Sequence, residues 1–412
     1  MPGEPDRDHV PDGCGTFRFD RREFAGSLGD LGTLLPIAIG LVVINGLDPT
    51  AVFLCVGLFY VLSGLYFRIT VPVQPMKVIG AYAIARVLAP IEISSAGLLL
   101  GVLLLVLALS GTIKLVGRLV PKSCVRGVQL TTGILLFTQG VRFILGTSSL
   151  QAARGAAEPF LSVATLGPLP IGIVLGCVAV LLILLLLDNR YAPAALVVVV
   201  LGAGSGLVLG AWKGLSVFEL GLHLPAVVPY GWPTLSDMAL ALTALALPQL
   251  PMTLGNAVVA QADLTREYFG PACSRRMSFR ALALSMGLAN LVVAFFGGMP
   301  LCHGAGGLAA HYRFGARSAG SNLMIGGVFV LIALVFGDQA IALLSLLPFS
   351  VLGALLLFAG AQLAMTILDI DQRADMFVIV AMLGASLVTN LGIGFGLGLV
   401  LAYLFKSGRF RP

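Results

Sequence analysis

Two short stretches of this chain combine polar or charged side chains with helix-breaking residues inside apolar sequence. They are 72-PVQPMKVIGA-81 and 297-GGMPLCHGAGGLAAHYRFG-315. The first contains Gln74 and Lys77, and the second contains His303, Gly304 and Gly306. A helix that begins inside a membrane presents unpaired backbone N–H groups and the positive end of its dipole. Such an end attracts anions, and glycines let the backbone approach a ligand closely. The two stretches therefore predict a pair of helix N-termini that bind a compact dianion.

Each of these side chains also has a structural interpretation. Lys77 either contacts the anion or extends along the preceding strand to the inner membrane surface. Gln74 either donates to the anion or caps the helix end. His303 either donates to the anion, or titrates as a coupling group, or forms a hydrogen bond to a neighbouring carbonyl. Gly304 and Gly306 allow either close backbone approach or helix packing.

Four further polar residues lie in predicted spans near these stretches. Asp30 is a carboxylate within an apolar span, where it either carries a proton together with the anion or forms a salt bridge or cap. Thr33 follows on the same helix face. Gln249 and Asn256 lie seven positions apart, which predicts a shared face that either lines the cavity or bonds neighbouring helices.

The rest of the chain is typical of an all-α polytopic membrane protein. Of its 412 residues, 58% are hydrophobic and 11% are charged, and the mean hydropathy is +1.01. Soluble domains carry roughly 25% charged residues. The apolar runs predict fourteen spans, near residues 28–46, 50–67, 75–89, 96–117, 122–143, 168–187, 193–211, 238–260, 279–296, 301–312, 319–336, 345–366, 375–389 and 391–405.

The basic residues indicate how these spans are oriented. With the N-terminus inside, twenty of the 25 Lys and Arg residues fall on the inner side, four fall outside, and Lys77 is left within the membrane. This is the bias of the positive-inside rule, and it explains the basic composition without nucleic acid. We therefore expect an integral membrane protein with both termini cytoplasmic. The short tails and the high content of Ala, Gly and Leu favour a bacterial inner membrane.

The two halves of the chain resemble each other. The stretch 74-QPMKVIGAYAIA-85 matches 299-MPLCHGAGGLAA-310, and 119-LVPKSCVRG-127 matches 346-LLPFSVLG-353. Seven spans per half is an odd number, so the second half must be inverted. The third and tenth spans are too short to cross about 30 Å of hydrocarbon. Inverted repeats with paired broken helices are typical of the transport site of secondary transporters.

Three stretches also resemble a known family. They are 26-GSLGDLGTLLPIAIGL-41, 71-VPVQPMKVIGAYA-83 and 296-FGGMPLCHGAGGLAAHYRFGARS-318. They are similar to the molybdate transporters of plants, algae and bacteria, which are relatives of the sulfate permeases. The resemblance extends from about residue 24 to residue 405. Unlike the sulfate permeases proper, the chain is expected to carry no STAS domain.

The resemblance implies both a fold and an activity. The fold is a 7+7 inverted repeat with two half-helices, segments 3 and 10, each preceded by a short strand. A core domain would comprise residues 24–119 and 237–337, and a gate domain residues 120–236 and 338–405. Disordered or short cytoplasmic tails would comprise residues 1–23 and 406–412. The implied activity is high-affinity molybdate import by alternating access.

Other functions stay open at this point. Sulfate or another tetrahedral oxyanion has the same charge and shape as molybdate, and an anion channel on the same fold is a second alternative. The coupling ion is H⁺, Na⁺ or none, and a homodimer is compatible with the sequence. The spans contain no nucleophile–base pair or metal cluster, and the chain contains no GxxxxGK[ST] motif. We therefore expect no enzyme, no cofactor, no metal site and no ATP-driven pump.

Overall fold

The chain folds as a polytopic helical membrane protein, as the sequence predicts. The computed structural model describes residues 15–113, 115, 119–187, 189, 193–212 and 221–407. Within these residues, seven helices are long and apolar enough to cross a membrane, or eight if one bent pair counts as a single span. The helices α8, α9 and α17 defined below are shorter than a full span. The number of fourteen crossings and the inverted relation of the halves therefore stay predictions.

The first half contains nine helices among the described residues. They are α1 (Arg21–Ser27), α2 (Leu31–Val43), α3 (Pro49–Phe67), α4 (Lys77–Arg86), α5 (Pro90–Ser110), α6 (Lys122–Leu145), α7 (Ser149–Ala153), α8 (Ile171–Leu186) and α9 (Ala194–Val208). The strands there are β1 (Gln74–Pro75), β2 (Thr165–Leu166) and β3 (Leu169–Pro170).

The second half begins with a long helix. Its helices are α10 (Leu235–Ser274), α11 (Phe279–Phe296), α12 (Ala305–Phe314), α13 (Ala319–Phe336), α14 (Ala340–Leu344), α15 (Phe349–Ala364), α16 (Arg373–Val388) and α17 (Leu391–Lys406). The strand β4 (Leu301–Cys302) precedes α12, and 3₁₀ turns lie at Gly337–Gln339 and Met365–Asp369.

Local signals explain where the helices begin and end. The bounds of α11 and α13 coincide with the predicted spans. The Ser278 side chain accepts from the backbone of Ala281, and α11 ends at Gly297, which has a φ of 73°. Helix α5 begins at Pro90, ahead of the predicted residue 96, because the Glu92 carboxylate accepts a hydrogen bond from the Ala89 backbone and caps the first turn.

The end of the predicted disordered tail is ordered, which corrects the prediction for residues 15–23. The Glu23 carboxylate is buried and accepts hydrogen bonds from the backbone N–H groups of Arg317 and Ser318. Ala319 donates to the Thr16 carbonyl. These contacts hold the segment against the junction of α12 and α13. Several predicted features lie outside the described residues, namely the tail residues 1–14 and 408–412 and the basic residues Lys114, Arg118, Arg190 and Lys213.

Helix α10 departs from regular α-helical geometry. It contains π-helical segments at Ala241–Ala246 and Thr253–Ala260, and it bends at Gly270. A π-helix has more residues per turn than an α-helix, so residues on either side of it no longer share the expected face. This change of phase affects which α10 side chains reach the site.

Helix α4 lies within the protein interior. All of its residues from Val78 to Ile84 are buried. They pack in one apolar core with residues of α2 and α3, among them Ile37, Leu41 and Val56. The short helix is therefore supported by protein on its sides, and its N-terminal end points towards the candidate site.

Candidate functional site

Strands β1 and β4 bring the starts of the two ten-residue helices α4 and α12 together. The strands pair antiparallel, with Gln74 opposite Cys302 and Pro75 opposite Leu301. Met76 extends the ladder by donating to the Pro300 carbonyl over 2.9 Å. The strand predicted before each short helix is therefore present, and each strand is the other's partner.

A cavity of about 1110 Å³ adjoins these helix starts. Of the residues proposed from the sequence, six line it: Asp30, Thr33, Gln74, Lys77, Asn256 and Gly306. They come from α2, β1, α4, α10 and α12 and from the turn before α2. The structure therefore brings together residues that are more than 200 positions apart in the sequence.

Asp30 and Gln74 form a buried pair beside this cavity. The Gln74 Nε2 donates to Asp30 Oδ1 over 2.6 Å, and the two side chains are 3% and 1% exposed. The other oxygen of each side chain, Asp30 Oδ2 and Gln74 Oε1, has no hydrogen-bond partner in the protein. A buried oxygen without a donor is costly, so this pair is poised to accept a hydrogen from a proton or a ligand.

Lys77 supplies the positive charge at the start of α4. It is partly buried, lines the cavity, and attracts the Asp30 carboxylate electrostatically. Thr33 also lines the cavity, and its backbone N–H donates to the Asp30 carbonyl over 3.0 Å. The structure therefore places Lys77 inside the protein rather than on the surrounding membrane surface.

Gln249 does not line the cavity but caps the start of α4. Its Oε1 accepts hydrogen bonds from the backbone N–H groups of Val78, over 2.9 Å, and Ile79, over 3.4 Å. Its Nε2 donates to Thr253 Oγ1 over 3.0 Å. The backbone donors of Val78 and Ile79 are therefore occupied, and the main contribution of this end to anion binding is the charge of Lys77.

The start of α12 is open by comparison. Gly304 is its N-cap residue, and no side chain caps this helix. A Cβ atom added at Gly306 would meet nothing within 4 Å, whereas one at Gly307 would lie 2.5 Å from Asp30 Oδ2. At Gly304 a side chain would collide with the Gln74 amide. Gly304 and Gly307 thus permit close packing, and Gly306 presents bare backbone to the cavity.

His303 is not among the cavity-lining residues. Its Nδ1 is 2.9 Å from the Pro72 carbonyl and its Nε2 is 3.0 Å from Ser285 Oγ. The ring packs between Phe59 and Phe67, at centroid distances of 4.7 and 5.7 Å. Both ring nitrogens are therefore engaged by the protein, as in the structural interpretation of this residue.

Asn256 lines the cavity where Gln249 does not. Its Nδ2 would lie 3.3 Å from a Cβ atom at Gly304, which places it beside the open start of α12. The sequence spacing predicts one shared face for the two residues, but Asn256 lies inside the π-helical segment Thr253–Ala260, whose wider turns shift it off the face of Gln249. The interrupted helix was not visible in the apolar pattern.

Basic residues of other helices complete the cavity lining. Lys122 and Arg126 from α6 and Arg313 from α12 line it, together with the amide side chain of Gln129. Among the lining residues that the structure describes, four are Lys or Arg and Asp30 is the only carboxylate. The sequence assigns Lys122 and Arg126 to the inner surface, and the structure shows that both also line the cavity. Lys122 begins α6, as predicted, directly after the N-cap residue Pro121.

Comparison with known proteins places the chain in a family. A family model described as a molybdate transporter of the MFS superfamily matches residues 22–136 and 241–363. The chain belongs to this molybdate transporter family. It is 31% identical to molybdate transporter 2 of Arabidopsis thaliana, over 93% of this chain and 87% of that protein. It is 32% identical to molybdate transporter 1 of Chlamydomonas reinhardtii, over 92% of this chain and 90% of that protein. The resemblance noted in the sequence is confirmed.

Solved anion transporters have a similar fold. The transmembrane domain of the cyanobacterial bicarbonate transporter BicA aligns with a TM-score of 0.62 and 16% identity, over 93% of this chain and 98% of that one. Murine SLC26A9 in its inward-facing state aligns with a TM-score of 0.64 and 16% identity, over 98% of this chain and 70% of that one. At this identity the likeness concerns the fold. Membership of a transporter family agrees with the expectation that the chain is not an enzyme.

Proposed function

We propose that this member of the molybdate transporter family is a secondary active transporter that imports molybdate by alternating access. One observation carries the proposal. Lys77, the open start of α12 and the polar side chains of Thr33 and Asn256 adjoin one cavity inside an apolar helical protein. A dianion that is bound inside a protein without a metal ion or a nucleotide requires hydrogen-bond donors of this kind and a compensating positive charge.

The two short helices contribute different groups to the proposed substrate site. Helix α12 offers its first backbone N–H groups at Gly306, and α4 offers the Lys77 ammonium. Gln74 and Gly304 shape the wall between them, and Gln249 holds α4 in place. The ligand set omits His303, because both of its ring nitrogens already have protein partners.

Proton coupling through Asp30 is part of the proposal. The carboxylate lies beside Gly307 at the start of α12, where a bound anion would repel it. Protonation of Asp30 removes that repulsion and supplies a hydrogen to a pair with two unpartnered oxygens. Entry of a proton with the anion therefore satisfies charge and hydrogen bonding at the same time.

The basic cavity lining supports an inward-facing state. Lys122, Arg126 and Arg313 lie in segments that the charge bias assigns to the cytoplasmic side. In this proposal both termini are cytoplasmic, in a bacterial inner membrane. The core comprises residues 24–119 and 237–337, and it moves against a gate of residues 120–236 and 338–405.

Uptake into proteoliposomes tests the function. Purified protein would be supplied with nanomolar molybdate, with and without a large excess of sulfate and with and without an inwardly directed proton gradient. We expect saturable uptake that resists sulfate and increases with the gradient. Absence of saturable molybdate uptake by correctly inserted protein would reject the proposal.

A general oxyanion carrier is the second candidate. A putative sulfate transporter of Bacillus subtilis is 24% identical over 90% of this chain. Sulfate and molybdate are both tetrahedral dianions, so the same donors suit either. If sulfate abolishes uptake at a concentration comparable to that of molybdate, the second candidate is correct.

A further inference from the structure

Lys122 and Arg126 of α6 form a cationic cluster in the cavity wall, in addition to Lys77 of α4. Arg126 donates from Nε to Asp369 Oδ1 over 2.9 Å and from Nη2 to Asp369 Oδ2 over 2.6 Å. Lys122 Nζ lies 2.9 Å from Asp369 Oδ2 and donates to the Asp369 carbonyl over 2.9 Å. Both basic residues line the cavity, whereas Asp369 is not among its lining residues.

The Arg126 guanidinium is held in place independently of Asp369. Its Nη1 donates to Gln129 Oε1 over 2.7 Å, and Gln129 is 5% exposed. The Thr366 hydroxyl donates to the same oxygen over 3.1 Å. The planar donor fork of Arg126 is therefore oriented towards two acceptor oxygens even when the carboxylate is absent.

The Asp369 carboxylate is the solvent-accessible acceptor of this cluster. Its side chain is 43% exposed, that of Lys122 is 56% exposed, and Asp369 ends the 3₁₀ turn Met365–Asp369. Because solvent reaches this ion pair, dissolved anions screen it and compete with the carboxylate for the two basic side chains. An arginine fork accepts two oxygens of an oxyanion in the same bidentate manner as two oxygens of a carboxylate. A dianion therefore has the charge and the geometry to replace Asp369.

We propose that Lys122 and Arg126 form a second, inner site for a tetrahedral oxyanion, which Asp369 occupies in this structure. The substrate leaves Lys77 and the start of α12, displaces Asp369 from the Arg126 fork, and passes from there to the cytoplasm. Return of Asp369 expels the anion from the fork. This site rests on the proposed transport function and adds to it a defined place for substrate release.

Equilibrium binding of radiolabelled molybdate to the purified full-length chain tests the inner site. The background is Lys77→Ala, which weakens the first site. We expect this variant to retain weak, saturable molybdate binding, and we expect the added change Arg126→Gln to abolish it. The added change Asp369→Asn should tighten it roughly tenfold, because the competing carboxylate is gone.

Two further variants serve as controls. Arg142 lies in the last turn of the same helix and outside the cavity lining, so Arg142→Gln should leave the weak binding unchanged. Arg126→Lys keeps the charge but loses the fork, and it should weaken binding rather than abolish it. Each variant must elute as a single species in detergent and keep the melting temperature of its parent.

The competing anions decide the chemistry of the site. Displacement of labelled molybdate by unlabelled molybdate or sulfate, but not by chloride at equal ionic strength, supports a tetrahedral oxyanion site. Displacement by chloride would show that the cluster attracts anions non-specifically through its charge, which would overturn the proposal. No residual binding in the Lys77→Ala variant, or residual binding that Arg126→Gln leaves intact, would also overturn it. These results differ from failure of the proposed function, in which the unmodified protein itself transports no molybdate.

Discussion

At the scale of single residues, Lys77 and Asp30 set the charge of the site. The lysine lines the cavity at the start of α4, and the buried aspartate lies close enough to interact with it. Buried ions are costly in an apolar interior, and ionisable residues inside a membrane protein usually mark its functional site. We therefore expect the two residues to have separable effects, Lys77 on anion binding and Asp30 on coupling.

Replacing Lys77 removes the positive charge that faces the anion. We expect Lys77→Ala to reduce molybdate uptake at low concentration by roughly 10- to 100-fold, the factor that corresponds to loss of a charged hydrogen bond. Uptake by the same amount of inserted protein is the measurement. Lys406→Ala, at the end of α17 and outside the cavity lining, is the matched control. Wild-type uptake by Lys77→Ala would mean that the site lies elsewhere.

Replacing Asp30 by Asn keeps the shape of the side chain but removes its capacity to carry a proton. We expect Asp30→Asn to bind molybdate at least as well as the unmodified protein, because a negative charge beside the anion is lost. We also expect its uptake to stop responding to an imposed proton gradient. Uptake with and without the gradient is the comparison, and a full response by Asp30→Asn would exclude this carboxylate as the coupling group.

Gly306 offers a test of the site that does not disturb packing. A Cβ atom added there meets no neighbouring element within 4 Å, and Gly306 lines the cavity. Gly306→Val should therefore preserve the melting temperature and lower molybdate affinity by blocking approach to the α12 backbone. Gly327 in α13 has equally open surroundings but lies outside the cavity lining, so Gly327→Val is the matched control. Equal affinities for both variants would place the anion away from Gly306.

At the scale of elements, the start of α4 depends on a side chain from α10. Gln249→Ala would leave two buried backbone donors, those of Val78 and Ile79, without their acceptor. We expect a loss of about 1–3 kcal/mol in stability, read as a lower melting temperature, together with weaker uptake. Gln249→Glu retains an acceptor oxygen, so it should recover part of the lost stability and part of the lost uptake.

Asn256→Ala is the contrasting change in the same helix. Asn256 lines the cavity, so this variant should lose molybdate affinity while its melting temperature stays unchanged. If Gln249→Ala left stability unaltered while Asn256→Ala lowered it, the roles assigned to these two residues would be reversed.

The elements that sequence patterns predict well are those with local signals at both ends. Helices α11 and α13 begin after a capping serine and end at a glycine, and the spans predicted from the apolar runs, 279–296 and 319–336, have the same bounds. The partners of His303 were not predictable, because Pro72 lies 231 positions away in the chain. The spacing of Gln249 and Asn256 predicts one shared face, whereas Asn256 lies in a π-helical segment that the apolar sequence pattern does not reveal.

At the scale of the whole molecule, the basic residues of the cavity lining bear on which side of the membrane the cavity faces. The lining residues Lys122, Arg126 and Arg313 come from segments with the cytoplasmic charge bias, and the fold resembles a transporter solved in its inward-facing state. The orientation itself stays a prediction from the distribution of charge along the sequence. Which side chains of the two halves meet was not predictable, because it depends on the pairing of β1 with β4.

Access to the cavity should therefore be greater from the cytoplasmic side in the resting protein. We expect Asn256→Cys, in a background in which the exposed Cys177 is changed to Ser, to react with a membrane-impermeant thiol reagent faster from the inner face. Molybdate should protect it. Faster labelling from the outer face would contradict the orientation, and labelling unaffected by molybdate would contradict the position of the site.

The most direct test of the central claim is nanomolar molybdate uptake into proteoliposomes by the unmodified protein and by Lys77→Ala, measured in parallel with a proton gradient and excess sulfate. The account predicts saturable, sulfate-resistant uptake by the unmodified protein and little by the variant. Equal uptake by both proteins, or no saturable uptake by either, would contradict it.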